Sequence, residues 1–180
     1  KDKNDVLVYE ISKKKNNYKF STLASLNNNH LTLELLSYIK KSDVPAEIKL
    51  NGIFEVDKKI SFEEIFYKEG LNFFEINNLN FNKDFKFKNV NKVKANFKNK
   101  NNKINEISIK MNGKNYTIFG NLFDSQKLID DLLKNRNKNS IFDNFTNNNL
   151  EISLDIKKAY IDNFSFFKNL KGKIKLIDNK

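Results

Sequence analysis

ISIKMNGKNYTIFGNLFDSQKLIDDLLKNR, residues 107–136, packs three local signals into one run. Ile107, Ile109 and Met111 alternate with Ser108, Lys110 and Asn112, the period of a half-buried strand. Asn112-Gly113 follows; both residues tolerate positive φ, which suits the type I′ turn whose twist matches the strands it joins. The return strand puts Tyr116, Ile118 and Gly120 on one side and Thr117 and Phe119 on the other. After Leu122-Phe123, Asp124 or Ser125 can accept a bond from the free N–H groups of a new helix. Leu128, Ile129, Leu132 and Leu133 then form one helical stripe. Asp130 and Asp131 face water, and Lys134 and Arg136 suit the negative C-terminal end. The spacing predicts a hairpin, a capped turn and a helix of about three turns.

Outward from this run the chain is strand and turn. Val6, Val8 and Glu10 oppose Leu7, Tyr9 and Ile11. Lys13 to Asn17 is a polar turn, and Tyr18, Phe20, Thr22 and Ala24 share a parity on the returning strand. Residues 31–41 fit both periods, and a short helix near 34–40 is favoured. After Pro45, Ala46, Ile48, Leu50, Gly52, Phe54 and Val56 share one parity, which predicts a single long strand with a bend or bulge at Gly52. Ser61-Phe62-Glu63-Glu64 matches a capping box and predicts a helical turn or two through Tyr67. The parity change between Phe73 and Phe74 predicts a bulge. Leu79 and Phe81, then Phe85 and Phe87, then Val93, Ala95 and Phe97 continue the strand pattern, with a turn over 99–103. Residues 137–149 read as a polar loop. Leu150, Ile152, Leu154 and Ile156 alternate cleanly. Residues 161–167 read as another strand, and Leu170, Gly172, Ile174 and Leu176 as the last. Strands joined by short turns predict an antiparallel meander.

The 180 residues carry a net charge of +11, five isolated glycines, one proline and no cysteine. That length fits one unit over 1–180. The chain opens at Lys1 without an initiator Met and stops in mid-pattern, which reads as a piece of a longer protein. No disulfide or cysteine–metal framework is available. His30, the lone histidine, follows an Asn-rich turn and reads as a surface residue; no Ser-His-Asp set, metal cluster or glycine-rich phosphate loop can be assembled. The residues predict no enzyme, no catalytic residues, no metal and no cofactor. The lysines are scattered and Arg136 is the only arginine, so a reader of base edges is not expected.

The strands are mostly apolar on one parity and polar on the other. A sheet with one apolar face must cover it. One helix and a stub or two cannot roof about ten strands. A fold-over of the same sheet, a neighbouring domain or a lipid-like ligand could.

The run Y-T-I-F-G-N-L-F-D-S-Q-K-L-I-D-D-L-L over 116–133 resembles a signature of AsmA-like envelope proteins of Gram-negative bacteria, the YhdP-like branch in particular. There a strand ends in Gly, and an aromatic residue and Asp precede a Leu-rich helix. Here those places are Gly120, Phe123, Asp124, Leu128, Leu132 and Leu133. Tyr38-Ile39-Lys40-Lys41 followed by Val44-Pro45-Ala46, and Leu170 with Gly172, are similar to the family too. The family often has Arg soon after the Asp; Lys127 is the nearest cation here. The resemblance implies a mainly β fold: an elongated, curved antiparallel sheet with an apolar groove. It implies a periplasmic body on a parent anchored in the inner membrane, guiding phospholipids between inner and outer membranes in support of outer-membrane biogenesis, as bridge-like lipid-transfer proteins do. The partners implied are phospholipid acyl chains, with both membranes reached through parts outside this segment. The residues expected to line groove or core are Ile48, Leu50, Phe54, Ile109, Met111, Tyr116, Ile118, Ile152, Leu154 and Ile156. The rival expectations are a structural or adhesive β-sandwich module and a basic nucleic-acid-binding module.

Overall fold

Residues 4–127, 129 and 150–176 are described by the structure, a computed structural model. It is mainly β, 73% strand and 3% helical, and among the described residues no helical layer covers the sheet. The strands are β1 (Val6–Lys14), β2 (Asn17–Leu26), β3 (Leu31–Leu33), β4 (Tyr38–Lys40), β5 (Ala46–Glu55), β6 (Lys59–Glu69), β7 (Asn72–Asn82), β8 (Phe87–Lys98), β9 (Ile104–Asn112), β10 (Asn115–Asp124), β11 (Leu150–Tyr160) and β12 (Phe166–Leu176). Ten of them form one open sheet in the order β1-β2-β5-β6-β7-β8-β9-β10-β11-β12, not closed into a barrel. Strands β3 and β4 pair apart as a small hairpin.

The hairpin of β9 and β10 forms as the alternation requires, with Met111 opposite Tyr116 and Ile109 opposite Ile118, and with Gly113 at φ +64° in the turn. The next step departs from the expected meander. Strands β10 and β11 are parallel, with Tyr116 opposite Ile152 and Ile118 opposite Leu154. Parallel neighbours cannot be joined by a tight turn, and the chain leaves β10 through the predicted helix start. The Asp124 carboxylate accepts the Gln126 N–H at 3.3 Å, and the Ile129 N–H reaches the Ser125 carbonyl at 2.9 Å. Leu128, Leu132, Leu133 and the loop read over 137–149 lie outside the described residues.

Four other expectations are corrected. Ser61-Phe62-Glu63-Glu64 starts no helix and lies inside β6. Tertiary pairing on both sides outweighs a local capping signal worth about 1 kcal/mol. Residues 34–40 hold only a 3-10 turn, Glu34–Leu36, closed by Ser37 in the left-handed region before β4 begins. The Phe73–Phe74 parity change marks no bulge; pairing with β8 runs straight through it, and Phe73 faces the opposite side from Phe74. Residues 161–165 form a turn rather than a strand, because the Asp162 carboxylate accepts the Phe164 and Ser165 N–H groups; β12 starts at Phe166.

The long strand predicted after Pro45 is β5, and its irregularity is at Gly52. Asn51 faces Glu64 and Gly52 faces Phe62, leaving Glu63 as the extra residue. The same offset carries into β7 and β8, where the inward positions pass from Ile76 to Leu79 and from Val93 to Val90 around Asn78, which has φ +52°. One bulge thus keeps the apolar side of three strands in step.

Candidate apolar binding face

The strand registers lay out one face of the sheet as rows of side chains. A central row runs Thr22, Leu50, Ile65, Ile76, Val93, Ile109, Ile118, Leu154 and Gly172 from β2 to β12. Beside it lie Phe20, Gly52, Phe62, Leu79 and Val90, and farther along Met111, Tyr116, Ile152 and Ile174. On its other side Ile48, Tyr67, Phe74, Ala95, Ile107, Gly120 and Ile156 are in register. Each pair of opposed side chains sits about 5 Å apart at Cβ, close enough to make the row continuous.

All ten residues expected to line a groove or core therefore share this face. Ile109, Met111, Tyr116, Ile118, Ile152, Leu154 and Ile156 form one block over β9, β10 and β11. Ile48, Leu50 and Phe54 lie on β5, where Phe54 is exposed and meets Tyr18 with ring centroids 6.2 Å apart. Within the block, Tyr116 reaches across β9, and its hydroxyl accepts the Val90 N–H at 3.2 Å. Ile65, Tyr67, Ile76 and Val93 belong to the same face but are absent from the sequence expectation. The alternation Ile65–Tyr67 is the available signal in β6, masked by the capping box directly before it.

The β3–β4 hairpin covers one end of the face; farther along, Val90, Tyr116, Leu150 and Ile152 are buried in a second cluster with Ile109, Met111, Ile118 and Leu154 packed against it. The hairpin's Tyr38 is fully buried and stands edge-on to Tyr67, Phe74 and Phe97, with centroids 5.9, 5.1 and 5.8 Å away. The Tyr38 hydroxyl donates to the Glu69 carboxylate, which makes Tyr67 the donor across the 2.8 Å bond between the two phenols. Asn72 completes Glu69 at 3.0 Å. Lys40, also fully buried, donates to the carbonyls of Asn29 and Lys41 at 2.7 and 3.0 Å. The hairpin is thus fastened by satisfied polar bonds as well as by ring packing.

Burial, helped by the Glu69 charge, pushes the Tyr67 hydroxyl up to about 12, and burial with the Glu69 bond pushes Tyr38 higher still. An unfolded tyrosine ionises near 10. The fold therefore loses nothing from these groups below about pH 10 and is destabilised as pH rises from about 10 through about 12, where only the unfolded chain gives up protons. Urea unfolding across this range should show a steep loss of stability that is weaker in Tyr67→Phe. An equal loss in the variant would clear Tyr67 of the effect.

The motif residues Gly120, Phe123 and Asp124 sit where β10 ends. Phe123 packs against the aromatic cluster under the hairpin. Asp124 caps the helix start, accepts Asn99 Nδ2 at 2.7 Å and pairs with Lys103 at 3.6 Å. Gly120 faces Ile107, and a Cβ there would stand 2.2 Å from the Glu106 carbonyl oxygen.

The opposite face is mostly polar, with ladders such as Glu75–Lys92 at 3.2 Å and Glu151–Lys173 at 3.0 Å, interrupted by Phe66, Phe73 and Phe119. It holds two shallow clefts that share Phe73, Lys94 and Asn96, of about 810 and about 510 Å³. His30 is exposed. Among the described residues no three His, Asp or Glu side chains gather to hold a metal, and no helix is long and apolar enough to cross a membrane. Comparison with protein families, with curated proteins and with solved structures finds no match.

Proposed function

We propose that this chain is a non-enzymatic, lipid-carrying segment in which the apolar face of the sheet receives phospholipid acyl chains. The observation that carries the reading is the central apolar row from Leu50 on β5 to Leu154 on β11, whose side chains stay half-buried, while the rows beside it close into one cluster under the β3–β4 hairpin and a second around Val90, Tyr116, Leu150 and Ile152. Aliphatic and phenyl side chains offer acyl chains dispersion contacts and no hydrogen bonds to satisfy, which suits sliding rather than tight selection. The charged opposite face keeps such a sheet in water. On this reading the segment works as AsmA-like proteins do, in the periplasm, within a parent anchored in the inner membrane.

Native mass spectrometry and lipid extraction of the purified protein test it. Bound phospholipid is expected, and Ile118→Glu, which puts a charge in the middle of the central row, should remove most of it while the β signature in circular dichroism persists. A lipid-free protein, or lipid retained in Ile118→Glu, would instead support a structural β-module.

A further inference from the structure

We infer that one rim of the sheet docks on an anionic membrane surface. Strands β6, β8, β10 and β11 all run toward this rim, so it gathers the β6–β7, β8–β9 and β11–β12 turns and the β3–β4 hairpin. Two turn tips carry apolar side chains aimed at solvent: Leu71 is 92% exposed and Phe164 93%. Turn residues are ordinarily polar, and two such tips on one rim are unusual for a surface that meets only water.

The tips belong to one continuous surface. Leu71 and Ile104 line the same cleft, which links the β6–β7 turn to the β8–β9 turn. Lys103, next to Ile104, donates to the Asp162 carbonyl at 2.7 Å, which links that turn to the Phe164 turn. The Phe164 turn is preformed, since the Asp162 carboxylate holds the Phe164 N–H at 2.7 Å. Phe166 and Phe167, both exposed, follow it.

Around the Leu71 and Phe164 turns the unpaired charge is positive. Lys68, Lys98 and Lys100 lie on this rim and enter no ion pair among the described residues. The acids beside these two turns are committed, Glu69 to Tyr38 and Asn72, Asp124 to Asn99 and Lys103, Asp162 to its own turn, while the exposed Glu34 and Asp43 lie at the hairpin end of the rim. The opposite rim differs. Its exposed Phe85 sits among Lys83, Asp57 and Asp84, so the charges there are mixed. Apolar tips ringed by unpaired lysines fit a headgroup layer: the side chains enter the interface and the ammonium groups meet lipid phosphates. This docking does not depend on where acyl chains lie on the apolar face.

The chain contains no tryptophan, so single tryptophans report on depth. Phe164→Trp and Leu71→Trp, with Phe85→Trp on the far rim, are mixed with vesicles of phosphatidylcholine and phosphatidylglycerol. Blue-shifted emission is expected at positions 164 and 71 and not at 85, reversed by salt and weak with phosphatidylcholine alone. Phe164→Asp in the otherwise native chain should lower vesicle binding about ten-fold, with the phospholipid recovered by extraction unchanged, which separates this surface from the apolar face. No shift at 164 and 71, an equal shift at 85, or equal binding to neutral vesicles would overturn the assignment.

Discussion

Gly120→Ala is expected to destabilise the protein by about 3 kcal/mol, near the top of the range for overpacking, and to lower Tm by about 6–12 °C. The cause is backbone against backbone. The added Cβ would stand 2.2 Å from the Glu106 carbonyl oxygen and 3.0 Å from the Ile107 Cα, and neither atom can swing aside as a side-chain end would. The register with β9 shifts between Gly120 and Leu122, so this is also where the two strands are irregular. Widening their separation would disturb the β11 pairing of Gly120 with Ile156, which is itself buried. Gly172→Ala is the control: its nearest neighbour is a Leu154 methyl at 4.0 Å, and little change is expected. Thermal melts of the two variants decide the matter. Equal melting temperatures would mean that β9 and β10 relax around a methyl group without cost.

Tyr38→Ala should cost about 3–5 kcal/mol, the range for removing a fully buried aromatic side chain. Three rings lose their edge-on partner together, and Glu69 and Tyr67 lose the hydroxyl between them. Tyr38→Phe separates the two contributions. It keeps the rings and leaves buried polar groups short of a partner, which costs about 1–3 kcal/mol. The hairpin is the cover at this end of the face, so Tyr38→Ala should also make residues 31–40 exchange amide hydrogens faster than the sheet. Unchanged exchange there, or denaturant stability within error of the native chain, would show that the hairpin is held by something other than this ring.

Much of the architecture was legible because parity survives in so many strands. Ile109, Ile118 and Leu154 sit on one face simply because each alternates with polar neighbours, and the registers join them in a row. The misreadings share a cause. Ser61-Phe62-Glu63-Glu64 looks helical only locally; the bulge at Glu63 breaks the alternation that would have marked β6 as a strand. The same offset conceals the passage from Ile76 to Leu79 in β7. Tyr38 falls in the stretch read as a short helix, and nothing local says that its ring meets Tyr67, Phe74 and Phe97, 29 or more positions away. The parallel step after β10 was hidden for a similar reason: strand direction is set by a connection rather than by strand composition. The apolar face could be anticipated as a set of residues. Which end of it is covered depends on the β3–β4 hairpin, whose polar anchors in the sheet, Tyr67 and Glu69, lie on β6.

The parallel seam between β10 and β11 also bears on how the sheet assembles. From β5 to β10 each strand meets its predecessor through a short turn, so these pairings close small loops and can zip up quickly. Tyr116 must wait for Ile152, far along the chain, before the seam can form. Strands β11 and β12 then arrive as a hairpin that docks late, and until it does the β10 edge stands open as a template for misplaced strands.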